Sequence, residues 1–296
     1  MSKRTLNKGL TVVIIGPGRL GTALAIGLSQ SGYHIQTLIG RRTSSLKKAA
    51  ALLDAPVLLL AAKDTDKFAV SDLVIVATPD DAIQSVVSGL LRRKAAGTVL
   101  HTSGALSSDV LSPLAAQGWA VGSIHPLVSV SDPVVGSRSF KGAFWCVEGE
   151  RRAIQISRRL VRDLEGHSFS IKSAAKPLYH AAAVMASGHV VALFDVAIDM
   201  LVKCGLKHGE ARRVLLPLLE STITNLTIKV PTKAMTGTFA RGDLATVERH
   251  LDALSQKELA DARSLYCLLG QRALALAADN GLDREVVRRI RAKLER

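Results

Sequence analysis

Two groups of residues in this chain could do chemistry. The first is a glycine turn in "TVVIIGPGRLGTALAIGL", where Gly16, Gly18 and Gly21 keep the G-x-G-x-x-G spacing. Gly16 permits a tight turn, Gly18 lets the backbone approach a pyrophosphate, and Gly21 lets a helix pack closely on a strand. Pro17, Arg19 and Leu20 complete the loop, and the N–H groups at the helix start would hold the phosphates. After the next strand, where an NAD-binding fold carries an acidic residue, stand Arg41 and Arg42. Their guanidinium groups match a 2′-phosphate, and Thr43 and Ser44 add donors, so the pattern favours NADP over NAD. Thr78 and Pro79 in "VIVATPDDAI" end a further strand at the edge where ligands gather on open parallel sheets.

The second group is polar and lies farther along. "LHTSGALSS" offers His101, Thr102, Ser103 and Gly104, and "GSIHPLVSVSD" offers Ser123, His125 and Ser129. In "KPLYHAAAVMASGHVVALFD", Lys176, His180, Val184 and Ser187 share one helical stripe, whereas His189 falls on the opposite side. Small residues around that stripe would let a ligand come close. A histidine at such a place relays a proton or fixes a carboxylate. His180 and His125 are therefore the candidate proton donors, with Lys176 and Ser103 as further catalytic candidates. Ser187, Thr236 and Arg241 are candidate substrate contacts. No Ser-His-Asp order, zinc signature or P-loop competes, and histidines and carboxylates are too dispersed to argue for a metal.

The elements that must position these residues follow from the patterning. Up to residue 172, short apolar runs alternate with helical segments, which calls for a doubly wound Rossmann-type parallel sheet covered on both faces. From residue 173 to 296 the pattern is all-helical, over about 174–204, 208–228, 242–252, 256–280 and 283–294. The last of these, in "REVVRRIRAKLER", places Val286, Ile290 and Leu294 on one stripe. The helices are rich in Ala and Leu, so another subunit is expected to cover part of their apolar surface.

The totals bound the class. The 296 residues suffice for two cores, and 48% are apolar, 22% charged and 4% aromatic. A net charge of +14 invites nucleic acid, but the basic residues are scattered and stacking aromatics are few. An anionic cofactor and a basic surface explain the charge better. The longest apolar stretch, residues 181–201, is interrupted by Ser187, His189, Asp195 and Asp199, so no membrane span is expected. A strand within about ten residues of Met1 leaves no room for a leader. Cys146, Cys204 and Cys267 are widely spaced, as in a reduced cytoplasmic protein.

With "LYHAAAVMASGHVVALFDVA" and "TGTFARGDLATVERHL" joined to a glycine loop, the chain resembles bacterial Rossmann-like oxidoreductases with a helical C-terminal domain of unknown function. That family is akin to pyrroline-5-carboxylate reductase, the β-hydroxyacid dehydrogenases and the deazaflavin-dependent NADP reductases. The resemblance covers almost the whole chain. It implies a nicotinamide-dependent reductase that forms a homodimer through the helical domain. "KPLYH" is similar to the β-hydroxyacid dehydrogenase helix in which a catalytic lysine precedes an asparagine, with His180 at the asparagine position. "MASGHVV" resembles a reductase helix reading Ser-Gly-Pro, with His189 at the proline. "TGTFARGD" loosely echoes that reductase's substrate loop, which would give Thr236, Gly237, Thr238 and Arg241 an anionic group to bind. "SIHPL" resembles the His-Pro-Met of prephenate dehydrogenases and would put His125 near substrate.

These readings converge on an NADP-dependent oxidoreductase acting on a small C=O or C=N substrate that carries a carboxylate. The rival is a non-catalytic NADP(H) sensor, which would keep the glycine loop and the arginines but need no acid/base group. A deazaflavin as hydride partner is an enzymatic variant that the residues leave open.

Overall fold

The structure is a computed structural model that describes residues 9–295. The absence of a leader was read from a stretch that falls mostly outside those residues. The chain forms two compact units that divide between Ser187 and Gly188.

The first unit holds eight strands: β1 (Thr11–Ile15), β2 (His34–Gly40), β3 (Leu58–Ala61), β4 (Leu73–Val76), β5 (Thr98–His101), β6 (Ala120–Pro126), β7 (Phe144–Gly149) and β8 (His167–Phe169). They form one sheet in the order β3-β2-β1-β4-β5-β6-β7-β8. The chain reverses from one side of β1 to the other, which is the doubly wound pattern. The helices of this unit are α1 (Arg19–Gln30), α2 (Thr43–Ala50), α3 (Asp80–Leu90), α4 (Ser112–Ala115), α5 (Pro133–Arg138), α6 (Arg151–Asp163) and α7 (Lys176–Met185).

The sheet is sandwiched because its central strands are apolar on both sides. Val12 and Ile14 of β1 pack in one core with Leu24, Leu28, Ile75 and Leu160, while Val13 and Ile15 pack in another with Val74, Val76, Ile83 and Val87. Successive strand residues point to opposite faces, so an unbroken apolar strand needs helices on both.

One joint departs from the expected all-parallel arrangement: β7 runs antiparallel to β6, pairing His125 with Cys146 and Pro126 with Trp145. A parallel return needs a crossover that traverses the sheet. Here the connection carries only the short α5 and comes back at the same end, where the Leu127 N–H donates to the Phe144 carbonyl at 2.9 Å.

The second unit comprises α8 (Gly188–Lys203), α9 (His208–Ile228), α10 (Pro231–Ala234), α11 (Thr238–Arg241), α12 (Leu244–Ala253), α13 (Ala260–Asp279) and α14 (Arg284–Leu294). Its core joins Val247, Leu251, Leu274, Val287, Ile290 and Leu294, with Val286 packed beside them. Leu218 and Leu268 remain 64% and 65% exposed on α9 and α13.

The single helix expected over residues 174–204 is two. At the end of α7 the Ser187 N–H turns back to the Val184 carbonyl at 3.2 Å and its hydroxyl donates to the Ala183 carbonyl at 2.7 Å, tightening and ending the helix before Gly188. By length and composition alone, the helical stretch Ser173–Lys203 is apolar enough to cross a membrane, although the break at Ser187 divides it into helices of 10 and 16 residues.

Candidate functional site

The glycine loop lies where β1 ends and α1 begins. Gly16 sits at φ +90°, and a Cβ there would lie 2.8 Å from both the Ala77 carbonyl oxygen and Thr78 Cγ2. Only glycine fits that turn against the end of β4. A Cβ on Gly21 would strike the Gly16 carbonyl, whereas one on Gly18 would meet nothing within 4 Å. Gly18 is thus the open side of the loop. It also starts α1 with no side-chain cap and no acidic residue in the first turn, which leaves the helix-start N–H groups for an anion.

Beside this loop is a cavity of about 310 Å³ lined by Pro17, Gly18, Arg41, Arg42, Ser45 and Thr78, among others. Pro79 lines it as well, while Thr43 opens α2 and is not part of the lining. The Thr78 Oγ1 atom is buried with no hydrogen-bond partner. A buried hydroxyl without a partner is costly, so a ligand oxygen at this place would satisfy it. Open backbone, two guanidinium groups and an orphaned hydroxyl around one cavity fit a phosphorylated dinucleotide.

The second cluster lies where β5 and β6 end and α7 begins. Lys176, at the first turn of α7, is 0% exposed. Its Nζ donates to the Ser103 carbonyl at 2.8 Å and to Ser123 Oγ at 2.7 Å. Burial depresses its pKa, against the opposing pull of Cys146, Glu148 and Asp80. The Ser103 hydroxyl is committed to its own turn: it donates to Asp80 at 2.9 Å and accepts the N–H groups of Ala105 and Leu106. Ser103 therefore serves α7 through its carbonyl. His101 is buried, with Nδ1 accepting from the Ser103 N–H and Nε2 on the Ser107 carbonyl at 3.1 Å.

His125 is the half-buried edge of this cluster. Its Nδ1 lies 2.7 Å from the Tyr179 hydroxyl, and its ring stands edge-on to His180 with centroids 5.5 Å apart. Both rings close on Gly104. A Cβ there would lie 2.7 Å from His125 Nε2 and would collide with His180 Nδ1, which is buried and has no hydrogen-bond partner. Burial first, then the Lys176 charge, lowers the pKa of His125 and of His101 to about 4 each, so both rings are neutral at pH 7.

His125 borders two hollows. One, of about 690 Å³, is lined by Val128, Phe169, Tyr179, His180 and Ser187. The other, of about 460 Å³, brings in Arg19 and Leu20 from the side of the glycine loop, and Ser129 lines both. His125, His180, Ser103 and Lys176 are thus brought together, and Ser187 shares their larger hollow. Thr236 and Arg241 belong to the second unit, where both are exposed at the ends of the α11 segment. His189 is exposed on α8, in the second unit. Tyr179 received no role from sequence. Its signal was its spacing, three residues after Lys176 and hence on the same helix face.

Sheet order and glycine loop define a Rossmann-like protein. Residues 3–126 match the Rossmann-like domain family and residues 143–273 match a domain of unknown function, DUF2520, so the chain joins the one to the other. No curated protein matches the sequence. Among solved structures it is similar to protein TM1727 from Thermotoga maritima (22% identity, 91% of this chain and 99% of that one, TM-score 0.70). It is similar also to a Bacteroides fragilis protein proposed to be an NADP oxidoreductase (22% identity, 90% and 98%, TM-score 0.71). A third is a Plasmodium falciparum pyrroline carboxylate reductase with NADP bound (14% identity, 97% of each chain, TM-score 0.56). At these identities the likeness is one of fold, shared with NAD(P)-dependent reductases and dehydrogenases.

Proposed function

We propose that this protein is an NADP-dependent oxidoreductase that moves a hydride between NADPH and a small C=O or C=N substrate carrying a carboxylate. The observation that carries the reading is the cavity shared by Gly18, Arg41, Arg42 and the orphaned Thr78 hydroxyl, at the same strand-end edge as His125. When bound, the nicotinamide supplies the hydride; the chain supplies orientation and the proton. Arg41 and Arg42 would hold the 2′-phosphate, and the N–H groups from Gly18 onward the pyrophosphate. His125 is the group placed to polarise the substrate oxygen or nitrogen by hydrogen bonding and to pass it a proton while its other ring nitrogen takes one up, since it borders both hollows and its neutral ring keeps one N–H at pH 7. Arg19, beside His125, is a cation for the substrate carboxylate or for the cofactor phosphate.

The test has two arms. NADPH and NADH binding are measured by fluorescence titration, and NADPH oxidation is followed with 2-keto acids, cyclic imines and β-keto acids. Arg41→Ala combined with Arg42→Ala is expected to weaken NADPH binding by on the order of tenfold or more and to leave NADH unaffected. Preference for NADP surviving that change would remove the phosphate reading. Tight NADPH binding with no turnover across the panel would favour the sensor. The exposed apolar side chains of α9 and α13 support a homodimer through the helical unit.

A further inference from the structure

We propose that Tyr179 is a positioning residue: its hydroxyl donates to Nδ1 of His125 and so holds the imidazole in the tautomer that carries its proton on Nε2. The inference rests on the reading of His125 as the proton-bearing group of the site. It starts from two matched spacings. Lys176 and Tyr179 are three apart on one face of α7, and Ser123 and His125 are two apart on one face of β6. Each helix residue meets one strand residue, Lys176 Nζ to Ser123 Oγ and Tyr179 Oη to His125 Nδ1, both at 2.7 Å. Two neighbouring rungs therefore tie α7 to the end of β6, and the second rung ends on the histidine.

The polarity of that rung follows from what each atom could do otherwise. If Nδ1 carried the proton, the phenol proton would have to find another acceptor in a half-buried place where no other partner among the described residues is bonded to it. If the phenol donates, Nδ1 accepts and both groups are satisfied. Burial raises the Tyr179 pKa, so the phenol keeps its proton, and lowers that of His125, so the ring has a single proton to place. The charged and titratable groups facing His125 are Lys176, His101, His180 and Tyr179, with Arg19 across the smaller hollow, and none of them is an anion that would draw a second proton onto the ring. The remaining proton then sits on Nε2, on the side where Gly104 has no side chain. A donor fixed in place needs no tautomer exchange before it acts.

The test uses the cofactor-free full chain labelled with 15N-histidine, read at pH 7 by long-range 1H–15N correlation, with His125→Gln to assign the signal. The expected spectrum shows a protonated Nε2 and a hydrogen-bonded, unprotonated Nδ1. In Tyr179→Phe the Nδ1 resonance is expected to move to the position of a nitrogen without a hydrogen bond. A protonated Nδ1 in the wild type would overturn the proposal, and so would an Nδ1 resonance that does not move in the variant. Should Tyr179→Phe not fold, the wild-type tautomer decides alone. Once a substrate is in hand, the variant should lose about tenfold or more in kcat with KM little changed. The tautomer is read without turnover, so failure of the reductase reading and failure of this proposal are separable.

Discussion

Gly104 shows how much of the site depends on an atom that is not there. Two imidazoles close on its Cα, and a methyl group would meet His125 Nε2 and His180 Nδ1 together. Gly104→Ala should displace both rings and lower turnover by on the order of 100-fold, at a stability cost of about 1–3 kcal/mol. Steady-state kinetics beside a urea melt would separate the two, and turnover at the wild-type rate would mean the rings do not act where they stand. The sequence made the chemical residues legible: His125, His180, Lys176 and Ser103 fall in one cluster. It left their division of labour unread. That Lys176 is buried and that Tyr179 grips His125 both depend on how close α7 lies to β5 and β6. Spacing within one element cannot supply a distance between two.

At the scale of elements, α7 is coupled to the histidines electrostatically as well as by hydrogen bonds. The ammonium of Lys176 lowers the pKa of both His101 and His125. Lys176→Met should therefore raise both, a change that NMR titration of the two rings would detect; unmoved values would mean that the Lys176 charge has no part in the lowering. The strands and their two-sided apolar patterning were readable because a strand covered on both faces has to be apolar throughout. The antiparallel joint at β7 was not, since strand sequences do not state direction and the β6–β7 connection had no helix long enough to give it away. Nor was the break after α7, where alanines favour continuation and the Ser187 hydroxyl bonds back to end the helix.

Taken as a whole, the molecule should lose stability in mild acid. His101 and His125 have folded-state pKa values of about 4 against about 6.5 in an unfolded chain. Their contribution is complete above pH 6.5, and it falls as the pH drops from 6.5 to 4, where the unfolded state takes up protons that the folded state refuses. Each contributes at most about 3 kcal/mol. Urea melts between pH 7 and 4 should show this slope, and His101→Gln should flatten it; a flat profile in the wild type would mean that the rings are not buried neutral. Sedimentation velocity should find two copies associated, with Leu218→Glu and Leu268→Glu together shifting the population to single chains. The excursion between β6 and β7 has a different consequence. Its feet are pinned side by side by the bond from Leu127 to Phe144, and its first residues, Leu127 to Val130, border the hollows beside His125. Lengthening such a closed segment costs only about 0.6 kcal/mol per doubling. Only the stretch before Phe140, which is buried in the core against Trp145, is free in this sense: insertions near Ser131 and Asp132 would reshape the hollows beside His125 while the sheet and the glycine loop stay as they are.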